Sequence, residues 1–69
     1  MKLSARNQLR GRIAEVRKGQ TTAHVQIDLG NGFSILSSIT NEAVDELGLK
    51  PGDDAVAVIK ASDVMVGKP

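Results

Sequence analysis

The chain has 69 residues, nine Lys and Arg against eight Asp and Glu, no Cys, and a single aromatic side chain, Phe33. At this length it is expected to form one small domain over residues 1–69, with a core that is marginal alone. Without Cys neither a disulfide nor a thiolate metal site can staple it, so association of subunits is the remaining common route to stability. No apolar run approaches the ~20 residues of a membrane span, and Met1-Lys2-Leu3-Ser4 leads into no hydrophobic signal segment. The expectation is a soluble, cytoplasmic protein with no membrane partner.

A net charge of +1 excludes a global basic field, but the charges are unevenly spread. Lys2, Arg6, Arg10, Arg12, Arg17 and Lys18 precede position 19, with Glu15 as the one acid among them. Glu42, Asp45, Glu46, Asp53 and Asp54 follow later, with Lys50 as the one base. Such a split steers an anion toward the N-terminal part, pairs one subunit with another, or is simply two solvated faces.

In chain order, Ser4-Ala5-Arg6-Asn7-Gln8 comes first, with every side chain but Ala5 able to donate a hydrogen bond. Arg6 adds a fixed charge and a planar fork of N–H groups suited to an oxyanion. This segment is either a polar lead-in to a strand or half of an anion site. Residues 9–18 then read as a strand whose inside-outside phase slips at Glu15, which predicts a bulge near Ala14. Lys18-Gly19-Gln20 is a turn. Thr22 to Leu29 alternates cleanly, with Ala23, Val25, Ile27 and Leu29 inward, as a half-buried antiparallel strand does.

Gly30-Asn31-Gly32 supplies positive-φ residues for a hairpin turn; with no helix after it, it is not a phosphate loop. Phe33 to Ile39 is the return strand, with Phe33, Ile35 and Ile39 on the core face and Leu36 on the other. Thr40 caps a helix of about two turns, with Val44 and Leu47 on one face and Gly48 as the residue that ends it. Pro51-Gly52-Asp53 turns into Ala55–Ile59, a strand apolar on both faces, one of which is free to pack on another subunit. Lys60-Ala61-Ser62-Asp63 supplies a second cation and a second hydroxyl, and Val64-Met65-Val66 reads as a short last strand. The sum is an all-β chain with one short helix, a five-stranded OB-like barrel with the helix between strands three and four.

Catalytic constellations are missing. His24, on the polar face of the cleanest strand, has neither a second His nor a Cys to share a metal, and no base is paired with Ser4 or Ser62. No directly coordinated metal and no enzyme activity are expected. An OB barrel raises single-stranded nucleic-acid binding or protein interaction as a rival function. Nucleic-acid binding of that kind needs aromatic platforms in a cationic groove, and one Phe at near-zero net charge argues against it.

Three segments carry a further signal. Ser4-Ala5-Arg6-Asn7-Gln8-Leu9 with Gly11, Leu47-Gly48-Leu49-Lys50-Pro51-Gly52-Asp53, and Val58-Ile59-Lys60-Ala61-Ser62-Asp63-Val64-Met65 closely resemble the molbindins, the small Mop-type molybdenum-pterin-binding proteins. The resemblance runs from Ser4 to Val66. It implies an OB-like barrel, assembly into a homohexamer as a trimer of dimers, and reversible binding of molybdate or tungstate between subunits, for molybdenum storage. The N-terminal segment of one subunit would face the Lys-Ala-Ser segment of another. Ser4, Arg6, Lys60 and Ser62 match the anion-binding positions, aided by backbone N–H groups near Ala5 and Ala61. A second anion site is expected at the turn with Lys18, Gly19 and Thr22. No pterin pocket, DNA-binding segment or ATPase module is recognisable, which is the pattern of a stand-alone storage form.

Overall fold

The computed structural model describes residues 4–69. The elements are β1 (Asn7–Lys18), β2 (Thr22–Gly30), β3 (Phe33–Thr40), the helix α1 (Asn41–Leu47), β4 (Asp54–Ile59) and one 3-10 turn (Ala61–Asp63). The strands form one antiparallel sheet in the order β3-β2-β1-β4.

The long strand β1 is the spine. Residues Asn7 to Arg12 pair with β4 and residues Arg12 to Lys18 pair with β2, so β1 exchanges partners at its middle. The register slips between Ile13 and Glu15, leaving Ala14 as the extra residue, and this bulge is where the phase of the sequence breaks. The backbone of Ile13 is not left unpaired there: its N–H donates to the Asp53 carbonyl and its carbonyl accepts from Gly52 N–H, both at 2.8 Å. The 50–53 turn therefore locks onto the bulge. Gly11 lies at the same crossing. A Cβ at this position would stand 2.4 Å from the Asp28 carbonyl oxygen and 2.9 Å from Ile27 Cγ2, so only glycine lets β1 and β2 approach this closely.

The β2–β3 hairpin closes through Asn31 (φ 55°) and Gly32 (φ 81°), and two successive positive-φ residues make the primed turn that matches strand twist. The helix begins at Thr40, whose Oγ1 accepts from Ala43 N–H at 3.0 Å. It ends at Gly48 in the left-handed conformation (φ 63°). Gly48 N–H donates to Asp45 carbonyl and Leu49 N–H to Val44 carbonyl, the paired bonds of a Schellman motif.

The core lies on the concave side of the curled sheet. It consists of Ile13, Ala23, Val25, Ile27, Val44 and Ala57, with Val16, Leu29, Ile35, Ile39, Leu49 and Ala55 packed around it. The inward parity of β2 and the burial of Val44 are as expected from the sequence. The core is small and one side is open: a cavity of about 470 Å³ on the concave face is bordered by Ile39, Leu47, Leu49, Ala55 and Val56.

Three expectations are corrected. The sheet has four strands rather than five, a curled half-barrel, because Val64, Met65 and Val66 pair with no strand. The 3-10 turn at Ala61–Asp63 carries the chain off the β4 ladder, and Met65 and Val66 are left almost wholly exposed. The free edges of the sheet, on β3 and β4, are left unpaired because the chain turns away from them, and apolar composition alone does not set that direction. Phe33 is not a core residue but 70% exposed, since it follows the hairpin turn at the end of the sheet, beyond the reach of α1 and β4. Leu47 does not share the burial of Val44; it ends the helix at the rim of the open cavity.

Candidate oxyanion site

The β1–β4 register places the two segments expected to form the site. Asn7 pairs with Ile59, Gln8 with Val58, Arg10 with Val56 and Arg12 with Asp54. Residues directly opposite in an antiparallel pair project to the same face. Asn7–Ile59 is the last pair of the ladder, so Arg6 and Lys60 are the next positions beyond it, one on each strand. The two segments singled out in the sequence, Ser4-Ala5-Arg6 and Lys60-Ala61-Ser62, thus leave the sheet side by side at one end. Both segments therefore start from the same end of the sheet in each chain, and the molbindin resemblance implies that the N-terminal segment of one subunit faces the Lys-Ala-Ser segment of another.

Each segment is held by local bonds. Ser4 and Arg6 are exposed at bends, Ala5 is half-buried, and Gln8 Nε2 reaches back to the Ala5 carbonyl at 3.4 Å. On the other strand, Lys60 precedes the 3-10 turn, in which Asp63 N–H donates to Lys60 carbonyl (2.9 Å) and Val64 N–H to Ala61 carbonyl (3.2 Å). The leading N–H groups of such a turn have no partner within it, and here they belong to Ala61 and Ser62. Lys60, Ala61 and Ser62 are all exposed.

The ion pairs set this end of the molecule apart. Arg12 pairs with Asp54 at 3.6 Å, Arg17 with Glu15 at 2.8 Å, Lys50 with Asp53 at 3.2 Å, and Lys18 with Asp45. Among the described residues, Arg6, Arg10, Lys60 and the tail residue Lys68 are the cations with no such partner. Three of these four lie on the β1–β4 pair, at or near the end where the segments meet. The sequence reading left Arg10 outside the site; only the register shows that it shares a face with Gln8 and Val58.

The Lys18, Gly19 and Thr22 group lies at the opposite end of β1. These residues do come together, and some of their polar groups have partners within the chain. Gly19 N–H donates to Thr22 carbonyl (2.8 Å), Asn41 Nδ2 donates to Gly19 carbonyl (2.9 Å), and Lys18 is neutralised by Asp45. His24 is exposed on the outer face of β2, opposite Arg17, beside the Arg17–Glu15 pair. Among the described residues no three His, Cys, Asp or Glu side chains gather as a metal-ion site, and no helix is long and apolar enough to cross a membrane.

Cations without counter-charges, beside hydroxyl and backbone N–H donors, are the complement of a small anion whose oxygens only accept, and Asp63 is the one acid in the adjoining turn. Comparison with known proteins points the same way. The TOBE domain model matches residues 3–66. A probable molybdenum-pterin-binding protein of Haemophilus influenzae is 48% identical over 67 residues, covering 97% of each chain. The fold superposes with a TM-score of 0.92 on a molybdate-binding protein from Sporomusa ovata, at 37% identity over 99% of this chain and 100% of that one. It superposes with a TM-score of 0.95 on the cytoplasmic molybdate-binding protein ModG, solved with molybdate bound, at 51% identity over 100% of this chain and 49% of that one. The family so defined is one of binding domains rather than of enzymes. The chain belongs to the TOBE-domain family and, within it, to the molybdenum-pterin-binding group, the molbindins.

Proposed function

We propose that this protein binds molybdate, or tungstate, reversibly as an intact tetrahedral dianion, and that it stores or buffers molybdenum in the cytoplasm as a single-domain homohexamer, a trimer of dimers. Arg6 and Lys60 supply two positive charges against the two negative ones of the ligand. Ser4 and Ser62 supply hydroxyl donors, and the backbone N–H groups of Ala5 and Ala61 complete the shell. The observation that carries this reading is the Asn7–Ile59 register, which leaves two unpaired cations as neighbours at the end of one strand pair. The names of the relatives, molybdate-binding and molybdenum-pterin-binding, support the choice of ligand.

The energetics are consistent with reversible binding. Hydrogen bonds with a charged partner contribute roughly 1.5–3 kcal/mol each, and a micromolar Kd corresponds to about 8 kcal/mol. A few such bonds therefore suffice. No thiolate is present to displace an oxygen from the metal, so the ligand stays a complete oxyanion held by its outer oxygens and can be released again.

Assembly is supported by the surface. β4 is apolar on both faces, with Ala55, Ala57 and Ile59 inward and Val56 and Val58 partly exposed outward. Leu36, Leu47, Met65 and Val66 add further exposed apolar side chains around an open concave face. Burial of these between copies would stabilise a chain whose own core is six residues. The rival nucleic-acid reading gains one observation, the exposure of Phe33, but a lone ring gives no run of stacking platforms.

Elemental analysis of protein purified from molybdate-supplemented cells, with native mass measured on the same sample, tests the proposal. The expected result is bound molybdenum and a mass near six chains of 7.3 kDa. A metal-free monomer from such cells would overturn it.

A further inference from the structure

We propose that Arg10 is a charge-selecting residue for the oxyanion: it touches no ligand atom, but its uncompensated charge favours dianions over monoanions at the Arg6–Lys60 site. This rests on the placement of that site proposed above. Arg10 lies on the same face of the β1–β4 pair as Gln8 and Val58, four residues from Arg6, and its side chain is exposed. The two acids nearest it along the strands have other partners. Asp54 pairs with Arg12, and Asp28 accepts from Gly30 N–H at 2.8 Å. Arg12, next on that face, thereby has a counter-charge, whereas Arg10 makes no ion pair among the described residues, with Asp54 bordering the same surface hollow.

The strand sets the distance and the distance sets the effect. At about 3.3 Å per residue, four residues separate Arg10 from Arg6 by roughly 13 Å. Taken as the distance from the Arg10 charge to the ligand, that backbone spacing is about one Debye length at 0.1 M salt and well inside one at 0.01 M. A screened Coulomb interaction in water over that distance makes a dianion bind about twofold more tightly at 10 mM ionic strength and about 1.3-fold more tightly at 100 mM. For a monoanion the exponent is halved, to about 1.4-fold at 10 mM. Arg6 and Lys60 carry two positive charges and Asp63, in the adjoining turn, one negative, so Arg10 adds a further positive charge whose benefit scales with ligand charge rather than with contact.

The test is titration calorimetry of molybdate, with perrhenate as a tetrahedral monoanion, on wild type, Arg10→Lys, Arg10→Gln and Arg10→Glu at 10 and 100 mM ionic strength. For molybdate at 10 mM the expected loss is about twofold for Gln and fourfold for Glu, falling to about 1.3-fold and 1.8-fold at 100 mM. Arg10→Lys keeps the charge and should keep wild-type affinity; perrhenate should lose about the square root of each molybdate factor. A salt-independent loss, an equal loss in Arg10→Lys, or no loss in Arg10→Glu would overturn the proposal. The molybdate series decides even where perrhenate binding is too weak to measure. A wild-type protein that binds no molybdate refutes the site itself, whereas wild-type binding that ignores the charge at position 10 refutes only this inference.

Discussion

Replacing Gly11 with Ala is expected to destabilise the fold although the residue has no special backbone conformation. Gly11 is not among the positive-φ glycines, so no strain arises from φ. The cost is purely one of space. The added Cβ would meet the Asp28 carbonyl oxygen at 2.4 Å and Ile27 Cγ2 at 2.9 Å, where ordinary contact begins near 3.4 Å. β1 and β2 must then separate by about 1 Å at the crossing where β1 changes partners and where the Ile13 bulge is locked to Gly52 and Asp53. Overpacking of this kind costs about 1–3 kcal/mol. Restricting the unfolded chain returns roughly 0.4–1 kcal/mol, leaving a net loss of about 1–2 kcal/mol. For a domain of this size each kcal/mol lowers Tm by about 4–8 °C. Thermal unfolding at fixed protein concentration and without oxyanion should therefore show a fall of roughly 4–16 °C. Gly19→Ala, whose Cβ would stand 3.0 Å from Thr22 carbonyl, should fall by less. A Gly11→Ala protein as stable as wild type would refute the close-approach argument.

The remaining predictions concern the helix and the site. Thr40→Ala removes the cap on Ala43 N–H and should cost about 1 kcal/mol in chemical denaturation, with no change in molybdate affinity. Arg6→Ala and Lys60→Ala should each weaken molybdate by roughly ten- to a hundredfold, and Ser4→Ala and Ser62→Ala by less, because charged donors make the stronger bonds. Lys18→Ala should leave the affinity of the Arg6–Lys60 site unchanged in calorimetry, since Lys18 lies at the other end of β1 and pairs with Asp45; loss of a separate class of sites would place the second anion site at the β1–β2 turn. Mixing and reassembling Arg6→Ala chains with Lys60→Ala chains should restore a fraction of full-affinity sites if each site draws on two subunits, and none if it is built within one chain.

Legibility from sequence followed how local the cause was. The inward row of β2, the bulge at Ala14, the Asn31-Gly32 turn, the Thr40 cap and the Gly48 terminus were all readable, because each depends on side-chain parity or backbone conformation within a few residues. The fifth strand was not, because Val64 to Val66 satisfy every local rule, and the 3-10 turn before them carries the chain away from the free edges of the sheet. Phe33 failed similarly: its parity matches Ile35, but burial depends on whether anything covers that end of the sheet. At the site, the donor-rich residues were visible as types. What the sequence alone did not give was the Asn7–Ile59 register that makes Arg6 and Lys60 neighbours. Nor did it distinguish cations with counter-charges, such as Lys18, from those without, such as Arg10.

The account rests most directly on where the dianion binds. Isothermal titration of molybdate into the wild-type protein and into the Arg6→Ala, Lys60→Ala double variant, with Tm of both recorded without ligand, tests this in one experiment. The expected result is binding near micromolar in the wild type and none detectable in the double variant, at closely similar unliganded stability, because both side chains are exposed and unpaired. Full molybdate affinity in the double variant would contradict the account.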